Sequence, residues 1–392
     1  MSRREFDHAL IVGKFFPPHV GHEYLVRTAL QFSRRVTVLV LAASSEPLPM
    51  ELRARWLRQC FPDTLAGKTE LRPKVRSAEG RSDHSDLRVV AALDDVPVDY
   101  DDEAIWRAHV DVMRRALRGD AAAHNETERP VDVVFSSEEY GETLARWFGA
   151  RHVCLDRARA LYPISGTDVR RDLTGCWMAL PAPVRAGLAL RVALVGAEST
   201  GTTTLARDLC DALRARGGAW ARTEWVPEYG REFSVNLLAA ARAHDPAARP
   251  EDAVWTEEDF VDIACEQNRR ENEAARQGGP VLVCDTDAMA TAIWHERYLG
   301  TRSASVERVA DAMAPRALYL LTDHADVPFE DDGLRDGEHL RAWMNGRFAD
   351  VLSAGPTPWH LVSGPPDHRL RSALRHIDDA MSGWWPFIER EY

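Results

Sequence analysis

A short apolar run near the start of the chain, Ala9–Val12, leads directly into a turn rich in glycine and proline and then into a predicted helix. A strand followed by such a turn places backbone N–H groups and a helix N-terminus where an anionic phosphate can bind. Gly13 and Gly21 let a ligand approach the backbone closely, and the prolines between them stiffen the loop. His19 and His22 are three residues apart at the helix start, so both imidazoles can face one phosphate group. The stretch therefore predicts a nucleotide-binding loop, since an ordinary strand–helix connection needs neither the glycines nor two histidines at this spacing.

The first half of the chain has the pattern of a parallel sheet covered by helices on both faces. Between residues 8 and about 175, apolar strands alternate with amphipathic helices. In such a sheet ligands bind at the carboxyl ends of the strands, where Gly13–His22 would lie. The predicted strands are His8–Val12, Val36–Ala42, Leu87–Leu93, Val131–Phe135 and His152–Leu155, and the predicted helices are Glu23–Arg35, Met50–Cys60 and Glu103–Arg118.

A second candidate anion site follows the last of these strands, in the segment Pro163–Arg171. Ser165 or Thr167 can cap a new helix, and Arg170 or Arg171 then adds positive charge beside its free N–H groups. Serine or threonine caps beside arginines are common. The segment is a stronger candidate for a phosphate site because it lies at the other end of the predicted domain that begins with Gly13–His22.

The length of the chain and a change of pattern near its middle predict two domains. At 392 residues the chain is too long for one ordinary domain, which has roughly 100–150 residues. Residues 176–190 contain two prolines and a glycine between two strongly patterned regions. We therefore predict domains at residues 1–182 and 188–392, each an α/β doubly wound parallel sheet.

The second predicted domain begins with another strand, glycine-bearing turn and helix. Arg191–Val195 leads into Gly196-Ala-Glu-Ser-Thr-Gly201, the frame of a phosphate-binding P-loop, Gly-x-x-x-x-Gly-Lys-Ser/Thr. Thr202 stands where the lysine belongs, and Thr203 stands where the magnesium-binding hydroxyl belongs. Because that lysine compensates charge on the β and γ phosphates, its loss weakens catalysis unless a nearby arginine substitutes.

Other segments of this half fit a kinase. Val281–Asp285 is a predicted buried strand that ends in a carboxylate, the layout of a magnesium-binding aspartate, and Asp287 follows two residues later. Glu257–Gln277 is a predicted helix with a capping box and no assigned chemistry. The acidic tract Asp323–Glu338 has two interpretations, a solvated loop or a lid that carries Arg335 onto the phosphates.

Two tryptophans also have both a structural and a functional interpretation. Trp106 can stack on a flat cationic pyridinium ring, although core packing explains it equally well. Trp294, with Tyr298 one turn later on a predicted helix, can flank an aromatic substrate, and here core packing is the simpler explanation. The sequence leaves both alternatives open.

Charge and cysteine content exclude some classes of function. The net charge of −12 and the isoelectric point near 5.6 argue against a general binder of nucleic acid or anionic membrane. The six cysteines lack the spacing of a metal site, and no apolar run is long enough to span a membrane. We expect a soluble, cytoplasmic protein with small-molecule partners, and the sequence leaves open whether it forms a homo-oligomer.

Two of the motifs resemble the signatures of the nucleotidyltransferase superfamily that includes the nicotinamide-mononucleotide adenylyltransferases. Gly13–His22 matches Gly-x-Phe-x-Pro-x-His-x-Gly-His, and Ile164–Arg170 matches Ile-Ser-x-Thr-x-x-Arg. With the second half, the chain resembles the bifunctional nicotinamide-mononucleotide adenylyltransferase/ribosylnicotinamide kinases, the NadR type, from residue 8 to about 380. The matching strings of the second half are Gly196–Gly201, Pro227–Glu232, Cys284–Asp287, Ile293–Trp294, Tyr298–Gly300 and Asp332–Arg335.

The resemblance implies an enzyme of NAD biosynthesis and salvage with two ATP-dependent sites that use Mg²⁺. In the first, nicotinamide mononucleotide attacks the α-phosphorus of ATP and gives NAD and pyrophosphate. In the second, ATP phosphorylates the 5′-hydroxyl of nicotinamide riboside. The alternative is an adenylyltransferase whose second domain binds nucleotide without turnover, because Thr202 replaces the lysine. A DNA-binding regulator is disfavoured by the charge, and we expect the helix-turn-helix module of the repressor members to be absent.

The resemblance also implies roles for individual residues. Some positions carry two roles, and Asp287 and Glu228 are alternatives for orienting the riboside. The implied catalytic residues are His19, His22, Lys14, Arg170, Asp287 and Arg335; the nucleotide-binding residues are Gly13, Phe15, Gly21, Ser137, Ser165, Thr167, Gly196, Ser199, Gly201, Thr202, Thr203 and Thr204; the substrate-binding residues are Trp106, Glu228, Arg231 and Trp294; and the magnesium ligands are Thr203 and Asp285.

Overall fold

Two five-stranded parallel sheets organise the part of the chain that the structure describes. The computed structural model describes residues 4–64, 85–99 and 101–388. The described residues of Met1–Val184 and Pro386–Tyr392 form one compact unit, and Arg185–Trp385 form the other. The predicted fold class, two α/β parallel-sheet units, is confirmed.

The first unit has the strand order β3-β2-β1-β4-β5, with every described neighbouring pair parallel. The chain reverses its direction of winding between β1 and β4, and ligands bind such sheets at the carboxyl ends of the strands beside this point. The strands are β1 (Phe6–Gly13), β2 (Ser33–Ala42), β3 (Asp86–Leu93), β4 (Val133–Ser136) and β5 (Arg151–Cys154), and the helices are α1 (Val20–Phe32), α2 (Met50–Cys60), α3 (Glu103–Ala123), α4 (Tyr140–Phe148), α5 (Gly166–Arg171) and α6 (Ala182–Leu188), which spans the boundary between the units.

The core of the first unit lies on both faces of its central strands. Successive residues of a strand point to opposite faces, so Ala9 packs on the side of α1 and α2, and Leu10 packs on the side of α3 and α4. Both side chains are fully buried. Burying a leucine of this kind contributes roughly 1.5–3 kcal/mol, which anchors the strand whose end carries the glycine-bearing loop.

The boundary between α1 and β2 differs from the prediction. The sequence predicted a helix to Arg35, but α1 ends at Phe32 and β2 begins at Ser33. Arg35 lies in the sheet with its side chain buried, and pairs with Asp86 at 3.0 Å and Glu126 at 2.7 Å. These partners are remote in sequence, so the helical periodicity before Arg35 gave no sign of them.

The second unit has the strand order β10-β9-β6-β8-β7, again with parallel pairs. Leu194 pairs in register with Asp285, so the loop after β6 and the end of β8 meet at one edge. The strands are β6 (Leu190–Val195), β7 (Glu224–Val226), β8 (Val281–Asp285), β9 (Leu318–Thr322) and β10 (Trp359–Val362), and the helices are α7 (Thr202–Arg214), α8 (Tyr229–His244), α9 (Glu257–Gln277), α10 (Ala288–Leu299), α11 (Ala304–Asp311), α12 (Arg341–Ala354) and α13 (Pro366–Trp384).

Three further features bear on the predictions. The tract after β9 has no helical turn until the short 3-10 segment Glu338–Leu340, as its lack of periodicity indicated. The sequence placed residues 386–392 in the second domain, whereas Phe387 packs within the first unit, 6.1 Å from Phe16 between ring centroids. No described helix is both long and apolar enough to cross a membrane.

Candidate active sites

The first candidate site is a cavity of about 770 Å³ at the carboxyl ends of the strands of the first unit. Small-molecule sites have volumes of roughly 300–1,000 Å³, so the cavity has the right size for a nucleotide. His19 and Gly21 line a smaller cavity of about 80 Å³ that shares His22 and Ser165 with the larger one. The predicted residues that line the larger cavity are Gly13, Lys14, Phe15, His22, Trp106, Ser137, Ser165, Thr167 and Arg170.

The two histidines form a stacked pair, with ring centroids 3.7 Å apart. The backbone N–H of His19 donates to Nδ1 of His22 at 3.2 Å, so a neutral His22 carries its proton on Nε2. Burial and then the Arg159 charge lower the pKa of His19 to about 4, and burial, His19 and Arg159 together hold that of His22 well below its usual value. A Cβ at Gly21 would lie 3.1 Å from the His19 ring, so this position favours glycine. In the free protein the pair therefore offers neutral N–H donors rather than positive charge.

Positive charge reaches the cavity from Arg170. Its guanidinium donates to the Phe16 carbonyl oxygen and to Thr167 Oγ1, both at 3.1 Å, and lies 5.1 Å from the Phe16 ring centroid. Ser165 caps α5, accepting from the Asp168 N–H at 3.1 Å and donating to its carboxylate at 2.6 Å. These bonds fix the start of the second phosphate motif against the first.

Lys14 is held by an acidic partner that the sequence analysis did not identify. Its ammonium lies 2.8 Å from Glu46, which Arg53 also contacts at 2.6 Å. Although burial raises the pKa of Glu46, the hydrogen bonds from both cations lower it below its usual value. Arg53 is fully buried and also donates to the Lys14 carbonyl at 3.1 Å. Arg53 therefore positions the glycine-bearing loop, and Glu46 positions the lysine.

Two more polar groups in the cavity lie outside every motif. Arg159 lines both cavities and pairs with Glu138 at 2.8 Å. His109 lies 2.6 Å from Asp94, and both line the cavity near Trp106. They come from a loop after β5 and from the α3 side of the cavity, so only the folded sheet brings them together. Trp106 is 7% exposed and belongs to the core cluster while one part of it faces the cavity.

The second candidate site is a cavity of about 410 Å³ around the loop between β6 and α7. Gly201 has φ +84°, a conformation that favours glycine, and Ser199 also has a positive φ of 55°. A Cβ at Gly196 would overlap the Thr322 hydroxyl, so the first glycine is needed for the loop to approach the sheet. The predicted residues that line this cavity are Gly196, Ser199, Thr202, Thr203, Thr204, Glu228, Arg231, Asp285, Trp294 and Arg335.

Asp285 has the environment of a magnesium ligand. It is 2% exposed, and hydrogen bonding from the nearby Thr203 and Thr202 side chains lowers its pKa. Burial raises its pKa to about 6 despite these bonds and the nearby charge of Arg207. Magnesium binds oxygen ligands, usually one or two carboxylates together with phosphates and water. No cluster of three metal-binding side chains occurs among the described residues, so a magnesium ion here would take its other ligands from the nucleotide and water.

A second carboxylate, Glu228, faces the same cavity. Burial and then the negative charge of Asp285 raise its pKa to about 7. Arg231 pairs with Asp332, and Arg335 donates to Ser199 Oγ at 3.0 Å. The acidic tract after β9 thus lies against the glycine-bearing loop and carries Arg335 to it.

Aromatic side chains form another wall of the second cavity. Trp294 lies 6.3 Å from Tyr298, which lies 5.0 Å from Trp255, all measured between ring centroids. All three line the cavity, and Trp255 and Tyr298 also pack on Phe260. These rings are part of the core and also present aromatic edges and faces to a ligand.

Asp287 is not among the residues that line the cavity, so the structure does not place it with the other predicted residues of this site. It is fully buried, caps α10 by accepting from the Ala290 N–H at 2.9 Å, and accepts from the Tyr319 hydroxyl at 2.7 Å. Thr286 has φ +74°, which turns the chain between the two aspartates. Asp287 therefore holds the start of a helix, while Asp285 faces the cavity.

Comparison with known proteins gave matches over both units. The AAA domain family matches residues 191–369. Trifunctional NAD biosynthesis/regulator protein NadR of Salmonella typhimurium (strain LT2) is 23% identical over 346 residues, which cover 85% of this chain and 72% of that protein. The Escherichia coli (strain K12) protein of the same name is 24% identical over 344 residues, 83% of this chain and 71% of that one.

Two solved structures of NadR have the same fold. The complex with NR matches with a TM-score of 0.58 at 18% identity and covers 98% of both chains. The complex with NAD and AMP-PNP matches with a TM-score of 0.55 at 17% identity, covering 100% of this chain and 99% of that one. The likeness extends along the whole chain and establishes its fold.

Proposed function

We propose that this relative of the NadR proteins is an enzyme of NAD biosynthesis and salvage, with an adenylyltransferase in its first unit and a ribosylnicotinamide kinase in its second. The proposal rests on one observation made in each unit, a glycine-bearing phosphate loop that lines a nucleotide-sized cavity at the carboxyl ends of parallel strands. NadR has been seen with NR, with NAD and with AMP-PNP. These ligands correspond to the substrates and products of the two reactions.

In the first unit, a phosphate oxygen of nicotinamide mononucleotide attacks the α-phosphorus of ATP. The bond from that phosphorus to the bridging oxygen of the β-phosphate breaks, and pyrophosphate leaves with the negative charge. His22 donates its Nε2–H, His19 donates from the other ring, and Arg170 supplies the positive charge that the neutral histidines lack. Lys14, held by Glu46, adds a second cation at the mouth of the loop.

The remaining residues of this unit hold and orient the substrates. Gly13, Phe15 and Gly21 shape the loop so that its N–H groups face phosphate. Ser165 and Thr167 fix the second phosphate motif, to which Arg170 belongs. Ser137, which directly follows β4, contacts the adenosine, and Trp106 presents its ring face to the pyridinium.

In the second unit, the 5′-hydroxyl oxygen of nicotinamide riboside attacks the γ-phosphorus of ATP, the bond to the bridging β-phosphate oxygen breaks, and ADP leaves. Glu228, with its pKa raised to about 7, orients the hydroxyl and accepts its proton near neutral pH. Arg231 and Trp294 hold the riboside. The loop Gly196–Thr204 holds the phosphates, and Arg335 closes over them.

Magnesium fits the second site, because a buried carboxylate and hydroxyl oxygens converge beside the phosphate loop. Asp285 and Thr203 would hold the ion. When bound, it neutralises charge on the β- and γ-phosphates. ATP, nicotinamide mononucleotide and nicotinamide riboside are water-soluble, and we place both activities in the cytoplasm.

Separate variants of the two sites test the proposal in one preparation. The purified chain with ATP and nicotinamide mononucleotide should form NAD and pyrophosphate in equal amounts, and with nicotinamide riboside it should form the mononucleotide and ADP. His22→Ala should lower only the first reaction, and Asp285→Asn should lower only the second. Absence of NAD with the wild-type chain would refute the adenylyltransferase, and absence of the mononucleotide would refute the kinase.

A second candidate function is favoured by Thr202. The chain would then be an adenylyltransferase whose second unit binds nucleotide or riboside without transferring phosphate. Loss of one phosphate contact costs about 10²–10³ in rate, which slows turnover without abolishing it. Thr203, Asp285 and Arg335 all line the cavity, and we therefore favour an active kinase. Thr202→Lys distinguishes the two, since an inactive wild type that gains activity with the lysine would establish the binding module.

A further inference from the structure

The phosphate loop of the second unit lacks the cation that normally compensates the β- and γ-phosphates of ATP. Thr202 occupies the lysine position, and its side chain, which carries no charge, lines the cavity beside Asp285. The cavity is not short of negative charge, since Glu198, Glu228 and Asp285 all line it. A phosphate that enters this cavity therefore needs a cation from elsewhere in the unit.

Three arginines line the cavity, Arg207, Arg231 and Arg335. Arg231 pairs with Asp332. Arg335 donates to the Glu330 carbonyl at 2.9 Å and lies 3.5 Å from Asp332. Two of the three arginines are thus already engaged by oxygen acceptors.

Arg207 differs from the other two. In the part of the chain that the structure describes, no carboxylate or carbonyl oxygen contacts its guanidinium, which lies 4.7 Å from the centroid of the Trp225 ring. The side chain is exposed. An aromatic face holds a guanidinium in place and leaves its N–H groups available. Its five donors are therefore oriented and available to a ligand.

The position of Arg207 on α7 brings it to the phosphate end of the site. It lies four residues after Thr203 on the same helix, so the two side chains share a face. Thr203, Arg207 and Asp285 all line the cavity, and the charge of Arg207 lowers the pKa of that carboxylate. Arg207 therefore lies near the carboxylate that would hold magnesium, and it lines the same cavity.

We propose that Arg207 is a catalytic residue of the second site, where it binds the γ-phosphoryl group of ATP and supplies the positive charge that the P-loop lacks at Thr202. The inference rests on the proposed kinase function where it is tested by turnover, and only on ATP binding where it is tested by titration. An arginine that contacts a transferring phosphoryl group is worth about 10³-fold or more in rate. A residue that merely packed on Trp225 would have no such effect.

The test compares four chains: wild type, Arg207→Ala, Thr202→Lys, and the double variant with both substitutions. For riboside phosphorylation, Arg207→Ala should lower kcat by at least about 10²-fold, and the lysine in the double variant should recover at least tenfold of that loss. Arg207→Lys should retain more activity than Arg207→Ala, because it keeps the charge. Arg371→Ala, an exposed arginine on α13, is the matched control and should behave as wild type.

Calorimetric titration with ATP and with AMP separates this inference from the kinase proposal. A charge-assisted hydrogen bond of about 1.5–3 kcal/mol corresponds to roughly 10–100-fold in affinity, so Arg207→Ala should weaken ATP binding by that factor and leave AMP binding unchanged. If the wild type lacks kinase activity but Arg207→Ala shows this ATP-specific loss, the kinase proposal is refuted and the binding of the γ-phosphoryl group by Arg207 is supported. Turnover and ATP affinity within threefold of wild type, or a loss that the lysine does not rescue, would overturn the role of Arg207.

Discussion

His22→Ala is expected to remove most of the NAD synthesis, through the loss of one identifiable hydrogen-bond donor. Nδ1 of His22 accepts from the His19 backbone N–H at 3.2 Å, which leaves the proton of the neutral ring on Nε2. Burial first, and then the neighbouring His19, hold the pKa of His22 well below its usual value. The side chain therefore offers a phosphate one neutral N–H group and no positive charge.

The size of the effect follows from that neutrality. The pKa of His19 is lowered to about 4, so protonating it at pH 7 costs about 4 kcal/mol, from three pH units at about 1.36 kcal/mol each. The histidines thus act in the free enzyme as neutral donors. A donor that meets charge developing in the transition state is worth about 10²–10³ in rate. We expect that loss for His22→Ala, and a smaller one for His22→Asn, whose amide can both donate and accept.

NAD formation, measured through its enzymatic reduction to NADH, reports the loss as kcat/KM. Circular dichroism and the riboside phosphorylation of the same preparation show whether the variant is folded. Because neither ring is protonated near neutral pH, wild-type kcat/KM should show no histidine ionisation between about pH 6 and 8. Activity of His22→Ala within twofold of wild type would refute the assignment of the first site.

Three other substitutions test the physical account of the two sites. Asp285→Asn should raise the free energy of unfolding at pH 8 by up to about 3 kcal/mol, because the pKa of this carboxyl is about 6 in the folded chain and 3.8 when exposed. Its ionisation above pH 6 therefore opposes folding, and the gain from the substitution shrinks as the pH falls toward 4. Urea unfolding at pH 8 and at pH 5 measures the difference. Gly196→Ala should cost roughly 1–3 kcal/mol and weaken ATP binding, because its Cβ would overlap the Thr322 hydroxyl; unfolding and ATP titration report both. Arg53→Met should lower the free energy of unfolding by about 3 kcal/mol and should also lower NAD synthesis. This is the low end for a broken buried ion pair, because Lys14 still contacts Glu46. Urea unfolding and the NAD assay measure the two losses.

Each of these substitutions has a matched control. Asp262→Asn, at an exposed carboxylate of α9, should leave the pH dependence unchanged. Gly346→Ala, in open space on α12, should stabilise by up to about 1 kcal/mol. Arg55→Met, at an exposed neighbour on α2, should change stability by less than about 0.5 kcal/mol. Equal stability of wild type and Asp285→Asn at pH 8 would contradict the raised pKa of Asp285. Unchanged ATP binding by Gly196→Ala would contradict the role of Gly196 in the loop, and an Arg53→Met variant as stable as wild type would contradict the role of the buried ion pair.

The fold was predictable because its signals are local. Apolar runs and helical stripes alternate along each half, and short-range patterns of this kind identify strands and helices without knowledge of their partners. The error at the end of α1 shows the limit. Ser33–Arg35 is polar enough for the exposed side of a helix, but it pairs with β1 and β3 in the sheet, and the buried Arg35 side chain finds its partners in Asp86 and Glu126.

Cavity-lining residues could be predicted where they belong to a continuous motif, but not where separate loops bring them together. Gly13–His22 and the loop after β6 are continuous in sequence and line the two cavities. Arg159 lines the first cavity from the loop after β5, and Glu46 holds the cavity residue Lys14 from another loop; no local pattern distinguishes either from a surface charge. The burial of Asp287 was not predictable for a different reason, since spacing alone cannot show that the positive φ of Thr286 turns the second aspartate into the core.

The two sites position most of their cations in the same way, by pairing them with carboxylates before a phosphate arrives. Glu46 holds Lys14, and Asp332 holds Arg231. A side chain fixed in this way avoids an ordering cost of about 0.5–1.5 kcal/mol on binding, but an incoming phosphate must compete with the carboxylate for its N–H groups. Arg207 is ordered by an aromatic ring instead, so a phosphate can reach it without displacing an ionic partner. This difference makes Arg207, rather than a paired arginine, the residue best able to replace the missing P-loop lysine.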